Sequence, residues 1–445
     1  MAGSITVSSI TLDSDNNFSI KSNTGATLFF ANTSGVDIAN SIGATAITND
    51  KILSVANTKI SGNIISSQIA SVNGSVITAN TIANSAIQTG AVENYMNAAG
   101  LSFGMRNRII NGAMVISQRN GTSATTVNTN DVYTLDRFKG WASGGGVFTV
   151  TQSSTAPTGF ANSALITVTT ADASIAAGDN YRFAQAIEGY NIADLGFGTA
   201  SASTVTLSFW VRSNITGTFG GSLYSVGGTR AYVFNYTINA ANTFEQKTVT
   251  IAGDTSGTWG TVNSTGITVY FDLGSGSTYE NATGAWVAAE KFRTSGNATL
   301  ISTLSNTWYI TGVQLEKGST ATSFDYRSHG TELALCQRYF QTWGGNTGNE
   351  RLVVGFCQST TQVRADIPLV VSMRTDPTLT VSSASNWTVE GANPSVACTS
   401  ISLDQPSTKI GATNFNVASG LTAGQAVHII ANSTTSARFN LSAEL

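Results

Sequence analysis

The most regular pattern in the sequence is an aliphatic residue at every fifth position in two runs, over residues 55–65 and 72–92. The intervening residues are mostly Ser, Thr, Asn, Gly, Ala and Gln. A spacing of five fits neither the 3.6-residue period of a helix nor the two-residue alternation of a strand. It fits a repeating β element that buries one aliphatic side chain per repeat. The aliphatic positions are Val55, Ile60, Ile65, Val72, Ile77, Ile82, Ile87 and Val92.

One chain with a single apolar residue in five cannot bury these side chains, whereas three chains wound about a common axis can. The repeat therefore predicts a homotrimeric stem over residues 41–100, with the eight aliphatic side chains as its core. The alternative is a solvated linker rich in Ser, Thr and Asn. A flexible linker, however, gives no reason for the aliphatic residues to keep their spacing.

Replacing Ile82 and Ile87 together by aspartate is expected to dissociate this trimer, because like charges from three chains would meet at a dry axis. The molar mass measured by light scattering checks the result. An unchanged oligomer would show that these side chains face water. A wild-type mass of 46.2 kDa, which is that of one chain, would remove the stem prediction altogether.

The remaining sequence predicts β structure on both sides of the stem. Residues 1–40 contain short alternating stretches and form a small N-terminal β unit. Residues 101–330 contain many short alternating strands separated by Gly/Ser turns, which is typical of a sandwich or jelly roll. In the clearest strand, one face carries four apolar residues: Val205, Leu207, Phe209 and Val211.

A short helix is predicted at residues 331–341, where Leu333, Cys336 and Phe340 share one helical face. Residues 345–445 return to strand-like alternation. The expected architecture is thus an all-β, elongated homotrimer with four parts in each chain. These are an N-terminal β cap (1–40), a repeat stem (41–100), a jelly-roll domain that resembles carbohydrate-binding modules (101–330), and a short helix with a C-terminal β tip domain (331–445).

Charge and targeting signals narrow the function. Charged residues make up 11% of the chain and the net charge is −3, whereas an ordinary domain has about 25% charged residues. This excludes a nucleic-acid-binding protein, which needs clustered positive charge. The N-terminus shows no signal peptide, and the three cysteines (Cys336, Cys357 and Cys398) indicate free thiols and folding in a reducing compartment.

Five blocks in residues 101–340 resemble the jelly-roll module of bacteriophage tail fibre proteins. They are Arg106–Gly112 with Ser117–Arg119, Tyr133–Phe138, Ala186–Gly189, Leu207–Val211, and Gly312–Gly318 continuing through Phe324–Arg327 to Cys336–Tyr339. The stem repeat and the segment Ser372–Thr378 are also similar to parts of phage fibres. We interpret Asp136, Arg137 and Glu188 within these blocks as internal hydrogen-bonding residues of the sandwich.

The resemblance implies a structural virion component located in the tail fibre and folded in the host cytoplasm before assembly. Its implied role is recognition of, and adsorption to, the host surface. The implied partners are two further copies of the chain, other tail proteins at the N-terminal region, and a bacterial surface glycan or outer-membrane receptor. Two alternatives remain: a purely structural tail or head fibre or nozzle protein, and a tail spike that depolymerises glycans.

The lack of known catalytic motifs in the sequence argues against an enzyme. The two histidines, His329 and His428, lie in no zinc-binding spacing, and neither a nucleophile elbow nor a phosphate-binding loop occurs. We therefore expect no metal and no cofactor. A glycosidase needs two facing carboxylates. The candidates are the pairs Asp366/Asp376 and Glu280/Glu290, although surface charges are the simpler interpretation.

Aromatic side chains are the expected binding residues, because a Trp or Tyr ring packs on the apolar face of a sugar while polar neighbours bond its hydroxyls. Two polar loops of the tip domain each contain a tryptophan, and they are the predicted receptor contacts. Trp210 and Trp308 lie within strands and are expected to be structural. The predicted glycan-binding residues are Trp343, Asn346, Asn349, Arg351, Asn386 and Trp387.

Overall fold

The computed structural model describes residues 105–445, except residues 228 and 392–393, together with three strands near the N-terminus. The chain divides into two compact units, residues 1–87 and 88–445. In the first unit, the strands β1 (Phe18–Lys21), β2 (Thr27–Asn32) and β3 (Gly35–Asp37) form an antiparallel sheet in that order. The strands β1 and β2 lie where the alternating stretches of residues 1–40 predict strands.

The stem predictions lie outside the described residues. They concern the core positions Val55, Ile60, Ile65, Val72, Ile77, Ile82, Ile87 and Val92. The trimer that rests on them stays a prediction.

Residues 105–317 form a β-sandwich of two antiparallel sheets, as the alternation predicts. One sheet has the order β13-β10-β16-β8-β7-β4, and the other has the order β15-β12-β11-β14-β9-β6-β5. The strands are β4 Thr125–Val127, β5 Val132–Tyr133, β6 Phe138–Ser143, β7 Val147–Ser153, β8 Ser163–Thr170, β9 Asn180–Glu188, β10 Val205–Ser213, β11 Gly217–Ser225, β12 Arg230–Ile238, β13 Glu245–Ile251, β14 Thr265–Asp272, β15 Trp286–Val287 and β16 Thr307–Lys317.

The core lies between the two sheets. On β10 the predicted apolar face is fully buried in it, because successive side chains of a strand point to opposite faces of the sheet. Trp308 on β16 is also fully buried, which confirms its structural role, and Trp210 on β10 is half-buried.

One helix, α1 (His329–Gln337), follows the sandwich. The Ser328 side chain caps its N-terminus by accepting a hydrogen bond from the Thr331 amide. The prediction extended the helix to residue 341, and this boundary is wrong. Phe340 and Gln341 instead begin β17 (Phe340–Trp343), where they pair with Ser442 and Leu441 of a strand near the end of the chain.

The tip domain contains a small sheet and a closed barrel. The sheet has the order β17-β25-β20, and the barrel has the order β18-β19-β23-β22-β21-β24. Its core includes the fully buried Trp387, Phe415 and Phe439. The strands are β18 Arg351–Cys357, β19 Gln362–Pro368, β20 Thr378–Val381, β21 Trp387–Glu390, β22 Val396–Leu403, β23 Ile410–Val417, β24 Ala426–Ala431 and β25 Phe439–Ser442. The three cysteines are buried free thiols, as expected.

The blocks that resemble the phage module join the sandwich to the tip domain. Glu188, at the end of β9, accepts hydrogen bonds from Arg338 Nε at 2.9 Å, Arg338 Nη2 at 2.6 Å and the Tyr339 hydroxyl at 2.5 Å. Asp136 accepts bonds from the backbone and side-chain nitrogens of Gln118, both at 2.6 Å. Glu188 and Asp136 are both buried, so the interpretation of these residues as internal hydrogen-bonding groups is confirmed.

Candidate functional site

A groove of about 620 Å³ lies on the outer face of the seven-stranded sheet. The alternation of side chains creates this face. On β9, Phe183 and Ile187 enter the sandwich core, whereas Arg182 and Ala184 lie on the opposite side. The residues lining the groove are Asp131, Tyr133, Lys139, Trp141, Arg182, Ala186, Tyr224, Val226, Thr265, Thr268, Tyr270, Glu290, Glu444 and Leu445.

Three aromatic rings from different strands form the floor of the groove, and their residues are only 3–7% exposed. The Trp141 ring of β6 meets the Tyr270 ring of β14 edge-on, with centroids 5.9 Å apart. The Tyr224 ring of β11 lies 5.7 Å from Tyr270. These rings are brought together by sheet pairing, since β9 pairs with both β6 and β14, and β14 pairs with β11.

Two cations lie among the rings, and each is paired with a carboxylate. The Arg182 guanidinium is 4.8 Å from the Trp141 ring and 4.2 Å from the Tyr270 ring, and it bonds Glu290 at 2.5 Å. Lys139 Nζ is 4.5 Å from the Trp141 ring and bonds Asp131 at 2.7 Å. These pairs balance the charge of the groove, which favours an uncharged ligand over a polyanion.

The Tyr270 hydroxyl is one polar group of the groove that can bond a ligand. Tyr270 is 3% exposed, and its hydroxyl makes no hydrogen bond within the part of the chain that the structure describes. Burial is the main reason that its pKa rises to about 12. The hydroxyl therefore stays protonated at neutral pH, and it can donate a hydrogen bond to a sugar hydroxyl.

Residues Glu444 and Leu445 form one end of the groove. The Leu445 carbonyl oxygen accepts hydrogen bonds from the Tyr133 hydroxyl at 2.5 Å and from Lys139 Nζ at 3.0 Å. Burial raises the pKa of Tyr133 and lowers that of Lys139. The tip segment and the sandwich thus build the site together.

Sequence reasoning missed this groove. It singled out none of Trp141, Tyr224 and Tyr270 as a binding residue. The local signal was present on β6, where Phe138 and Ala142 alternate with Lys139 and Trp141. What the sequence does not show is that two other strands, β11 and β14, place Tyr224 and Tyr270 near Trp141.

The structure brings the two predicted receptor loops together at one end of the barrel, on either side of residues 431–438. The Asn432 amide bonds the Asn386 carbonyl at 2.8 Å, and the Ser433 hydroxyl bonds Asn349 Oδ1 at 3.4 Å. Asn346 and Asn349 are exposed. Asn346 bonds Glu350 through both its amide and its side chain, at 2.9 and 2.8 Å.

The three remaining predicted contacts differ in exposure. Arg351 is exposed and bonds Glu390 at 3.2 Å. The Trp343 ring is half-buried and packs edge-on against Phe439 at 6.0 Å. Trp387 is fully buried in the barrel core, and this corrects its assignment, because a ring with no exposed face cannot stack on a sugar.

Among the described residues, no group of three or more His, Cys, Asp or Glu side chains is placed to hold a metal. No helix among them is long and apolar enough to cross a membrane. In the candidate pair Glu280/Glu290, Glu280 lies 3.7 Å from Arg293, and Glu290 bonds Arg182.

Comparison with solved structures finds partial matches with low TM-scores. Tailspike protein 4 of bacteriophage CBA120 (its enzymatically active domain) matches with a TM-score of 0.26 and 15% identity, over 47% of this chain and 21% of that chain. The family 11 carbohydrate-binding module of Clostridium thermocellum matches with a TM-score of 0.24 and 11% identity, over 44% of this chain and 98% of the module. A xylan-binding domain of family 22 matches with a TM-score of 0.24 and 15% identity, over 46% of this chain and 99% of that domain. No protein-family model matches the sequence, and neither does any curated protein.

Proposed function

We propose that this chain is a glycan-binding protein of a bacteriophage tail fibre, which adsorbs to a bacterial surface polysaccharide through the groove of the seven-stranded sheet. The observation that carries the proposal is the groove itself, in which the rings of Trp141, Tyr224 and Tyr270 lie beside charge-balanced polar groups. The rings form a buried floor, and the fixed polar groups beside them can orient the hydroxyls of a sugar.

The phage role rests on the sequence blocks that resemble tail fibre modules. In the structure two of these blocks are linked by the hydrogen bonds from Arg338 and Tyr339 to Glu188. The blocks contribute mainly to the framework of the domain, although Tyr133 and Ala186 also line the groove. Trimerisation and attachment to other tail proteins through residues 1–40 belong to the same proposal.

Binding without cleavage is the proposed activity. A hydrolase of the two-carboxylate type needs one acid and one base free to act on either side of the glycosidic bond. In this groove Asp131 is paired with Lys139, and Glu290 is paired with Arg182. Release of reducing ends from a bound polysaccharide would contradict the proposal and favour a depolymerase.

Two groove variants test the site. Tyr270→Phe is expected to weaken glycan binding about fivefold, because one hydrogen bond of about 1 kcal/mol is lost. Lys139→Met removes a donor whose partner Asp131 is solvent-exposed, and it should weaken binding to a similar degree. Binding is measured on an array of bacterial surface oligosaccharides and then by titration with the bound glycan.

Tyr190→Phe and Lys317→Met are the matched controls. Both side chains are exposed and lie outside the groove, so each should bind like the wild type. A wild-type protein that binds no glycan, together with unimpaired phage adsorption after loss of the groove, would favour the purely structural alternative.

A further inference from the structure

A second groove, of about 690 Å³, lies on the surface of the tip barrel, and none of the predicted receptor residues lines it. It runs beside β18 and β19, which pair over only two residue pairs, Phe356 with Arg364 and Cys357 with Val363. The lining residues are Val354, Gly355, Phe356, Arg364, Ala365, Asp366, Asp404, Gln405, Ala412, Thr413, Asn414 and Ala426.

A row of side chains crosses three strands in this groove. Phe356 of β18 is opposite Arg364 of β19, and Arg364 is opposite Asn414 of β23. Directly opposed residues share one face of a sheet, so these side chains are neighbours. Phe356 is 52% exposed although it is a large apolar residue.

The polar members of the row are already held in place. The Arg364 guanidinium forms an ion pair with Asp404, and its Nε donates to Asn414 Oδ1 at 3.3 Å. Asp366 is exposed two residues further along β19. Fixed polar groups lose little freedom when they bind a ligand, so preorganisation of this kind favours affinity.

We infer that this groove is a second oligosaccharide-binding site, in which Phe356 is the platform for a sugar ring and Arg364, Asp366 and Asn414 bond its hydroxyls. The inference extends the proposed function, because it assigns the same class of ligand to a separate surface. A second copy of the chain is a poorer occupant. Val354 and Phe356 are the large exposed apolar side chains of the groove, and charged or amide groups surround them, whereas the centre of a protein interface is depleted of charge.

Phe356→Ala and Asn414→Ala in the full chain test the inference on the array of bacterial surface oligosaccharides. Each is expected to reduce binding to a subset of glycans at least tenfold, as is typical of a central binding residue. The matched control is Ile410→Ala, since Ile410 is a 43% exposed apolar residue of the same barrel that does not line the groove. Circular dichroism checks that each variant is folded.

The two sites give distinguishable outcomes. If some glycans are lost only with the tip variants and others only with Tyr270→Phe and Lys139→Met, both sites bind. If every loss occurs with Tyr270→Phe and Lys139→Met, the tip site is overturned and the proposed function stays intact. If every loss occurs with the tip variants, the tip site is supported and the sheet groove is overturned. If Phe356→Ala changes the oligomeric mass without changing glycan binding, the groove is a subunit contact, and the inference is wrong.

Discussion

Replacing Arg137 by methionine is expected to lower the free energy of unfolding by about 3–5 kcal/mol, which is typical when one partner of a buried ion pair is removed. The side chains of Arg137 and Glu444 are 1% and 5% exposed. The guanidinium bonds the Glu444 carboxylate, donates to the Ala186 carbonyl at 2.6 Å and covers the Tyr339 ring at 3.5 Å. Without Arg137, the buried Glu444 carboxylate loses one of its two cationic partners and keeps Arg119 at 3.1 Å.

Chemical denaturation of the variant and the wild type measures this effect. Arg351→Met is the matched control, because Arg351 and its partner Glu390 are 65% and 40% exposed. Exposed pairs contribute about 0–1 kcal/mol. The double variant Arg137→Met with Glu444→Gln should recover part of the loss, since it removes the buried charge that has lost a partner. Equal losses in Arg137→Met and Arg351→Met would show that Glu444 is solvated in solution.

The position of Arg137 links this prediction to the groove. Glu444 and Leu445 line the groove, and Leu445 is bonded by Tyr133 and Lys139. Loss of the ion pair should therefore loosen this end of the site as well as the junction between sandwich and tip.

Much of the sandwich was predictable because its strands alternate. The four buried residues Val205, Leu207, Phe209 and Val211 follow the period of a strand over a full strand length, and such a pattern depends on local sequence alone. The end of the helix was not predictable. Phe340 has the spacing of a helical face, but it pairs with Ser442, about a hundred positions later. Non-local pairing determined its structure.

The candidate site was less predictable than the fold. Polar neighbours of Trp387 indicated an exposed loop, yet Trp387 starts β21, and closure of the barrel buries its ring. Conversely, Tyr270 lies on the face of β14 opposite the core residues Val269 and Phe271, and its ring lines a groove. The alternation within one β-strand shows which residues share a face of the sheet. It does not show which of the two faces is covered by another sheet.

Replacing Glu188 by glutamine is expected to lower the free energy of unfolding by about 2–3 kcal/mol at neutral pH. The Glu188 carboxylate accepts three hydrogen bonds, and hydrogen bonds to charged groups contribute about 1.5–3 kcal/mol. Its side chain is 2% exposed. Arg338 is 34% exposed, so water can solvate its guanidinium in the variant. The loss of unfolding free energy should therefore be smaller than in Arg137→Met. Urea denaturation measures the difference, and Glu390→Gln at the exposed pair is the control, with an expected change below about 1 kcal/mol.

The effect of Glu188→Gln should also depend on pH. Burial acts to raise the pKa of Glu188, but the hydrogen bonds from Arg338 and Tyr339 outweigh it, and the net pKa lies below the usual value. The folded state therefore binds this proton less readily than the unfolded chain, whose glutamates titrate near pH ~4.3. The ionised carboxylate contributes its full stability above that pH and loses it as the pH falls through the folded-state value. The difference between wild type and Glu188→Gln should thus be largest from pH ~6 upward and shrink below pH ~4. A difference that grew on acidification would mean that burial dominates and that Glu188 is protonated at the junction.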